Sequence, residues 1–187
     1  MQRLPVDSII LAGGESKRMG KDKAFLSLCG KPFIQIIAEE LSKYSNKIIV
    51  SVNKDKNLYV DYLKNVNVEV VYVKDSYPYT GPLNGIISCI SEIKSEFVFV
   101  ATCDTPMLKG KLLPFFLKKI HGYQAVIPEV GGKLQFLNTL YEKPAIDAAE
   151  ELYKKGVRSL HRWVKSINTL KIGQKEVENI DPHLCSY

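Results

Sequence analysis

The chain has 187 residues, of which 45% are hydrophobic and 25% are charged, and its formal net charge is +6. These values are typical of one ordinary globular domain, so we expect residues 1–187 to form a single domain. No apolar stretch approaches the roughly 20 residues that a membrane-spanning helix requires. The positive residues are spread along the chain rather than gathered on a basic helix. We therefore expect no membrane partner, no nucleic-acid partner and a cytoplasmic location. The positive charge fits either a polyanionic substrate or simple solubility.

The first predicted element is a buried apolar strand at 6–11. Gly13 and Gly14 follow it and open a loop that carries one arginine and three lysines. Glycines let backbone N–H groups approach an anion, and arginine and lysine supply the charge that a polyphosphate requires. The segment therefore indicates a triphosphate site, although a surface turn with solvated lysines explains an isolated Gly-Gly pair equally well. The spacing matches neither a Walker A loop nor the dinucleotide fingerprint G-x-G-x-x-G.

The remaining apolar patterns alternate between strands and helices. The further predicted strands are 47–52, 68–73, 97–101 and 125–127, and 134–141 is a candidate strand that departs from the alternation. Helical spacing predicts helices at 33–44, 58–63, 83–93, 112–120, 145–153 and 160–164. This order predicts an α/β fold with a mostly parallel sheet covered on both faces. Ligands of such sheets bind beyond the carboxyl ends of the strands, so other strand ends should complete the site.

Three polar side chains follow predicted strands. Asp104 comes after the strand at 97–101, where a carboxylate can bind Mg²⁺ together with water and phosphate oxygens. Asp75 follows the third strand, ahead of a Gly81–Pro82 turn whose helix start can help to hold an anion. Asn53 ends the second strand, and its amide can both donate to and accept from a base or ribose. From spacing alone, an ordinary turn explains Asp104 better than a metal site does, and an ordinary turn or helix start is a strong explanation of the other two segments.

The segment from Leu11 to Lys23 resembles L-A-G-G-x-S-x-R-M-G-x-D-K without a gap. This is the signature loop of the molybdenum cofactor guanylyltransferases and, in a looser form, of nucleotidyltransferases that activate sugar and alcohol phosphates. Residues 103–106 are similar to the family's metal-binding C-D-x-P. Residues 75–85 are similar to its D…G-P-L-x-G element, with Asn84 in place of the usual alanine. The resemblance is densest in the first 106 residues.

Weaker similarity continues towards the C-terminus, at Gln135, at 156–160 and at 179–182. Phe136 follows Gln135 where many relatives have proline, so the resemblance leaves the details of the acceptor site open. It leaves open as well whether Asn179 or Asp181 supplies a second metal ligand.

The resemblance implies a three-layer α/β/α, Rossmann-like nucleotidyltransferase fold of the GT-A-like type. It implies transfer of GMP from GTP to molybdopterin, with Mg²⁺ as cofactor, giving molybdopterin guanine dinucleotide and pyrophosphate. The implied catalytic residues are Arg18, Lys23 and Asp104, with Asp104 as the metal ligand. The implied nucleotide-binding residues are Leu11, Ala12, Gly13, Lys23, Asn53, Asp75 and Asp104.

Three alternatives stay open at this point. A cytidylyltransferase of the same cofactor and a sugar- or alcohol-phosphate nucleotidyltransferase share the loop, and no residue fixes the base. A non-catalytic nucleotide-binding adaptor would be expected to lose Arg18, Lys23 or Asp104, and the chain keeps all three. The sequence does not fix the oligomeric state, and it leaves room for transient contact with other proteins of molybdenum cofactor synthesis.

Overall fold

The computed structural model describes residues 3–14, 22–78 and 80–187. The strands are β1 Val6–Leu11, β2 Ser27–Leu28, β3 Lys31–Pro32, β4 Lys47–Val52, β5 Glu69–Lys74, β6 Phe97–Thr102, β7 Ala125–Val130, β8 Lys133–Leu134, β9 Thr139–Glu142 and β10 Thr169–Gly173. The helices are α1 Phe33–Ser42, α2 Asn57–Leu63, α3 Pro82–Ser88, α4 Leu112–Lys119, α5 Lys143–Lys154, α6 Leu160–Val164 and α7 Gln174–Glu178. Single 3₁₀ turns are formed by Lys23–Phe25 and Ile90–Glu92.

The main sheet has the strand order β10-β7-β9-β6-β1-β4-β5, and β8 pairs with β7. β1 lies between two parallel partners, with Ile9 opposite Ile49 of β4 and Val100 of β6. β9 runs antiparallel to both β6 and β7, and β10 is parallel to β7. The prediction of a mostly parallel sheet is therefore confirmed. The chain moves from β1 outward to β4 and β5 and then returns to β6 on the other side of β1. This reversal creates a topological switch point between β1 and β6, where ligands of α/β sheets bind.

Helices cover both faces of this sheet. Alternate residues of a strand point to opposite faces, and the core is divided accordingly. Ile10 packs in a buried cluster with α1, α2, α4 and α7, whereas Ile9 and Leu11 pack in a second cluster with α3, α5 and α6. Because both faces are covered, the central strands β1, β4 and β6 are buried along nearly their whole length and are mostly apolar. Within the described residues, no helix combines the length and apolarity needed to cross a membrane.

Several predicted boundaries differ from the observed ones. The candidate strand at 134–141 is two separate strands, because β8 pairs only with β7 and β9 is inserted between β6 and β7. The predicted helix at 83–93 leaves the α-helical conformation after Ser88 and continues as a 3₁₀ turn. The sequence pattern missed β10 and α7 entirely. In each of them the structure buries a single side chain, Ile172 and Val177, so the apolar periodicity was too weak to detect.

Candidate active site

A cavity of about 250 Å³ opens at the carboxyl ends of the central strands. It lies at the switch point between β1 and β6, where the strand order predicts a ligand. Residues from the ends of β1, β4, β5 and β6 contribute to its wall, as does the segment between β8 and β9. The wall includes Gly13, Lys23, Asn53, Asp75, Asp104 and Leu137. Five of these six residues were predicted from the sequence as site residues, and the structure brings all five into one cavity.

Gly13 is the point at which three strand ends meet. The Asn53 side-chain amide donates a hydrogen bond to the Gly13 carbonyl oxygen. A Cβ atom on Gly13 would lie 2.5 Å from Asn53 Nδ2 and 2.7 Å from Asp75 Oδ2. Glycine is therefore required here by the close approach of two polar side chains. Because Gly13 has no Cβ atom, the turn after β1 can lie in contact with the residues that follow β4 and β5.

The residues just before Gly13 hold the turn to the sheet. The Ala12 N–H donates to Ser51 O at 2.9 Å, and Leu11 O accepts from Cys103 N at 3.2 Å. Ala12 is buried, whereas the side chain of Leu11 contributes to the wall of the cavity. Of the two, the structure places only Leu11 at the cavity, and the Ala12 N–H already has a partner within the protein.

Asp75 is a buried carboxyl group at the rear of the cavity. Its exposed fraction is 7%, and the Ser51 hydroxyl donates a hydrogen bond to Oδ1. Burial raises the pKa of Asp75 above its ordinary value, although hydrogen bonds from Ser51 and Asn53 act in the opposite direction. An ionised carboxylate in this position can accept hydrogen bonds from the N–H or O–H groups of a ligand.

Gly13→Ala is expected to weaken nucleotide binding about tenfold, or about 1.4 kcal/mol. The new methyl group must displace Asn53 and Asp75, and overpacking of this kind typically costs about 1–3 kcal/mol. Gly14→Ala is the matched comparison, since a Cβ there meets nothing within 4 Å. Calorimetric titration of both variants with GTP measures the difference. Equal dissociation constants for the two variants would contradict the role of the close approach.

Asp104 lies at the cavity, two residues after the end of β6, and pairs with Lys23. Lys23 Nζ is 2.9 Å from Asp104 Oδ2, and Thr102 Oγ1 donates to Asp104 Oδ1 at 2.7 Å. Partial burial acts to raise the pKa of Asp104, but the hydrogen bonds from Thr102 and Lys23 outweigh it and hold the pKa below its ordinary value. The carboxylate is therefore ionised at neutral pH. It also stays accessible, with 40% of the side chain exposed.

A metal ion at this cavity would be held by the protein and a substrate together. Across residues 3–14, 22–78 and 80–187, no group of three or more His, Cys, Asp or Glu side chains is arranged to hold a metal. Mg²⁺ does not need such a group, because it commonly takes one or two carboxylates together with waters and phosphate oxygens. Asp22 also lines the cavity, but its side chain pairs with Lys54 Nζ at 3.0 Å and accepts from Ala24 N at 3.1 Å. Asp104 is more accessible than Asp22, with 40% of its side chain exposed against 7%.

Other predicted residues are not at the cavity wall or cannot be placed. Arg18 belongs to residues 15–21, which lie outside the described residues. Asp181 is fully buried, and its Oδ2 accepts from Ser186 N at 2.8 Å. Of the described residues, Gln135, Asn179 and Asp181 do not line the cavity.

The structure adds contacting residues that the sequence did not single out. Thr102 and Ser51 each donate to a site carboxylate, and both are the last or next-to-last residue of a strand. Thr102, a hydroxyl residue two positions before Asp104, could therefore have been recognised from the sequence as a partner of this carboxylate. The partner of Asp75, 24 residues away in the chain, was not detectable from local pattern.

Residues 156–160, which resemble a family pattern, contact the loop after β5 indirectly, through Tyr153. The Arg158 guanidinium carbon lies 3.6 Å from the centroid of the Tyr153 ring, and this ring stacks on Tyr77 with centroids 6.4 Å apart. Arg158 also donates to Tyr153 O at 2.6 Å. A cation stacked on an aromatic pair stabilises the loop that leads from Asp75 to α3.

A glycine turn after β1 and an ionised aspartate after β6 both lie at the switch point of the sheet, and they define an α/β protein with a ligand site at this edge. Residues 8–170 match the family model described as MobA-like NTP transferase domain. This match covers most of the chain, and the chain belongs to that family.

Individual proteins agree with this assignment. The chain is 32% identical over 170 residues to the "Probable molybdenum cofactor guanylyltransferase" of Clostridium perfringens (strain 13 / Type A), covering 90% of this chain and 79% of the relative. The fold matches the crystal structure of molybdopterin-guanine dinucleotide biosynthesis protein A from Archaeoglobus fulgidus, with a TM-score of 0.78 and 21% identity over 97% and 90% of the two chains. It also matches 4-diphosphocytidyl-2C-methyl-D-erythritol synthase from Anaerococcus prevotii DSM 20548, with a TM-score of 0.73 and 15% identity over 96% and 95%. The predicted nucleotidyltransferase fold is thereby confirmed.

Proposed function

We propose that this protein transfers GMP from GTP to molybdopterin, forming molybdopterin guanine dinucleotide and releasing pyrophosphate. One observation carries the proposal beyond family membership. Lys23 and Asp104 lie 81 residues apart in the chain and meet at 2.9 Å across a cavity that also holds Gly13. A cation, an ionised carboxylate and a glycine turn thus face one site. An adaptor without turnover would not need this combination.

In the proposed reaction, an oxygen of the acceptor phosphate attacks the α-phosphorus of GTP in line. A new P–O bond forms, the bond between the α-phosphorus and the bridging oxygen breaks, and pyrophosphate leaves with the electron pair. A phosphate is already nucleophilic at neutral pH, so this step needs no dedicated general base. Catalysis then depends on holding the two substrates in line and on neutralising negative charge.

The chain's own residues supply these two contributions. Lys23 exchanges its partner Asp104 for oxygens of the triphosphate and stabilises the charge that develops on the leaving pyrophosphate. Arg18, assigned on the sequence motif, acts on the same phosphates. Gly13 allows close approach of the nucleotide to the turn after β1, and Asn53 and Asp75 hold base or ribose.

Asp104 is the residue that would hold Mg²⁺, together with substrate phosphates and water. Once bound, the ion neutralises phosphate charge and orients the α-phosphate. Asp104 offers an ionised, exposed carboxylate in the cavity, and Thr102 fixes its orientation through Oδ1. Mg²⁺ matches this donor set better than softer metals do, because a carboxylate, phosphates and waters are hard oxygen ligands.

GTP is expected to support faster turnover than CTP, ATP or UTP with molybdopterin as acceptor. The reason is the match of residues 11–23 to the guanylyl branch of the family. The measurement is pyrophosphate release for each nucleotide in the presence of Mg²⁺, with the Asp104→Asn variant as blank. Preference for CTP would assign the protein to the cytidylyl branch. Turnover only with a sugar or alcohol phosphate would exclude molybdopterin as the acceptor.

Further parts of the proposal concern the organisation and surroundings of the protein. Residues 1–187 act as one nucleotidyltransferase domain in the cytoplasm, with GTP and molybdopterin as substrates and no nucleic-acid or membrane partner. The chain makes transient contacts with other proteins of molybdenum cofactor synthesis.

A further inference from the structure

Asn138, in the segment between β8 and β9, connects the Asp104 turn to the last residues of the chain. We infer that Asn138 is a positioning residue for Asp104, and that its side-chain amide fixes the turn that presents this carboxylate to the cavity. The inference rests on the proposed function, because that function gives Asp104 its role as a metal ligand.

The amide contacts the turn on both sides of Asp104. Asn138 Oδ1 accepts from the backbone N–H of Thr102 at 3.1 Å, and Asn138 Nδ2 donates to Thr105 Oγ1 at 3.1 Å. Thr105 Oγ1 in turn donates to Thr102 O at 3.3 Å, which closes the turn. One side chain therefore fixes the residue two positions before Asp104 and the residue directly after it.

The first of these contacts leads directly to the carboxylate. Thr102 receives its position from Asn138 through the backbone, and its hydroxyl donates to Asp104 Oδ1 at 2.7 Å. Asp104 Oδ2 is left facing Lys23 and the cavity. Hydrogen bonds to the groups around a metal ligand orient it and typically change metal affinity by roughly 10–100-fold.

The backbone conformation of Asn138 is unusual for a residue other than glycine. Its φ is +56°, in the left-handed region that asparagine tolerates better than most residues, and it is only 3% exposed. Its backbone N–H donates to Val100 O at 2.6 Å, which ties it to β6. A buried amide that uses both its oxygen and its nitrogen is an arrangement that a hydrophobic residue cannot replace.

The end of the chain holds Asn138 from the other side. Asn138 Nδ2 donates to Ser186 O at 2.7 Å, and the Tyr187 hydroxyl donates to Asn138 O at 3.1 Å. Ser186 is fixed by two further bonds, from its own N–H to Asp181 Oδ2 at 2.8 Å and from Lys109 N to its hydroxyl at 3.0 Å. This explains why Asp181 is buried away from the cavity. Asp181 fixes Ser186, and Ser186 in turn holds Asn138.

The test is Asn138→Gly, which removes the amide but keeps a residue that adopts positive φ without strain. Binding of Mn²⁺ as a probe is measured by electron paramagnetic resonance with GTP present. We expect roughly 10–100-fold weaker binding than in the wild-type protein. The Mg²⁺ concentration that half-activates turnover should rise by the same factor, and saturating Mg²⁺ should restore much of kcat. The KM for GTP at saturating Mg²⁺ should change far less.

Ser45→Ala is the matched control. It deletes another buried hydrogen bond, between Ser45 Oγ and Ser8 Oγ at 2.6 Å, near the amino end of β4 and away from the cavity. It should lower thermal stability without changing Mn²⁺ affinity. Tyr187→Phe removes only the hydroxyl that donates to Asn138 O, and it should weaken Mn²⁺ binding by a smaller factor than Asn138→Gly.

The inference is overturned if Asn138→Gly binds Mn²⁺ as tightly as the wild type does, or if its Mn²⁺ affinity falls no more than that of Ser45→Ala. If Asn138→Gly does not fold, Thr102→Val and Tyr187→Phe test the inference instead. Wild-type Mn²⁺ affinity in both of these variants would overturn it. Failure of the proposed function gives a different pattern. In that case the wild-type protein with GTP binds Mn²⁺ no better than Asp104→Asn does.

Discussion

Asp104→Asn is expected to lower kcat by about a thousandfold, the upper end of the effect of losing one preorganised electrostatic group. Asparagine keeps the size of the side chain and can still accept from Thr102, but it lacks the charge that Mg²⁺ and Lys23 require. Folding should be retained. The Lys23–Asp104 pair has side chains 47% and 40% exposed, and exposed ion pairs contribute only about 0–1 kcal/mol. Mg²⁺ titrations of kcat, together with thermal unfolding, measure both effects.

Glu39→Gln is the matched control for this variant. Glu39 pairs with Lys31 at 2.8 Å, and the two side chains are 37% and 53% exposed, so the pair resembles Lys23–Asp104 in geometry and exposure. Both substitutions remove one negative charge, but only one of them is at the cavity. Near-normal turnover of Asp104→Asn at limiting Mg²⁺ would show that Asp104 is only a turn residue.

Lys23→Ala is expected to lower kcat and kcat/KM together by about 10²–10³, equivalent to about 3–4 kcal/mol. The ammonium group faces the cavity, where charge builds on the leaving pyrophosphate, so its contribution should be larger in the transition state than in the bound substrate. Without nucleotide the same variant should bind Mn²⁺ more tightly than the wild type. The reason is that Asp104 loses the cation that occupies Oδ2.

Lys31→Ala provides the comparison for Lys23→Ala, because it removes a lysine from the equivalent exposed pair between β3 and α1. It should leave kcat unchanged. If Lys23→Ala raises only the KM for GTP, then Lys23 binds ground state and transition state equally, and the catalytic assignment is wrong.

The sequence by itself determined the central strands and the edge of the sheet at which the site lies. β1, β4 and β6 are buried on both faces, so each contains an uninterrupted apolar run, at 9–11, 48–50 and 97–101, that can be recognised without knowledge of the partner strands. Polar residues directly after such runs fall at the carboxyl edge of a parallel sheet. For this reason Asn53, Asp75 and Asp104, together with the glycine turn at Gly13, could be assigned to one edge from the sequence.

The tertiary structure decided which of these residues touch and what holds them. The ion pair of Lys23 with Asp104 spans 81 positions, and the contact of Asn138 with Ser186 spans 48. Local periodicity reports only which face of an element is buried, and it contains no information on contacts between distant segments. The same reason explains the division of 134–141 into β8 and β9. That segment is shaped by pairing with β6 and β7, and this pairing brings Asn138 to the Asp104 turn.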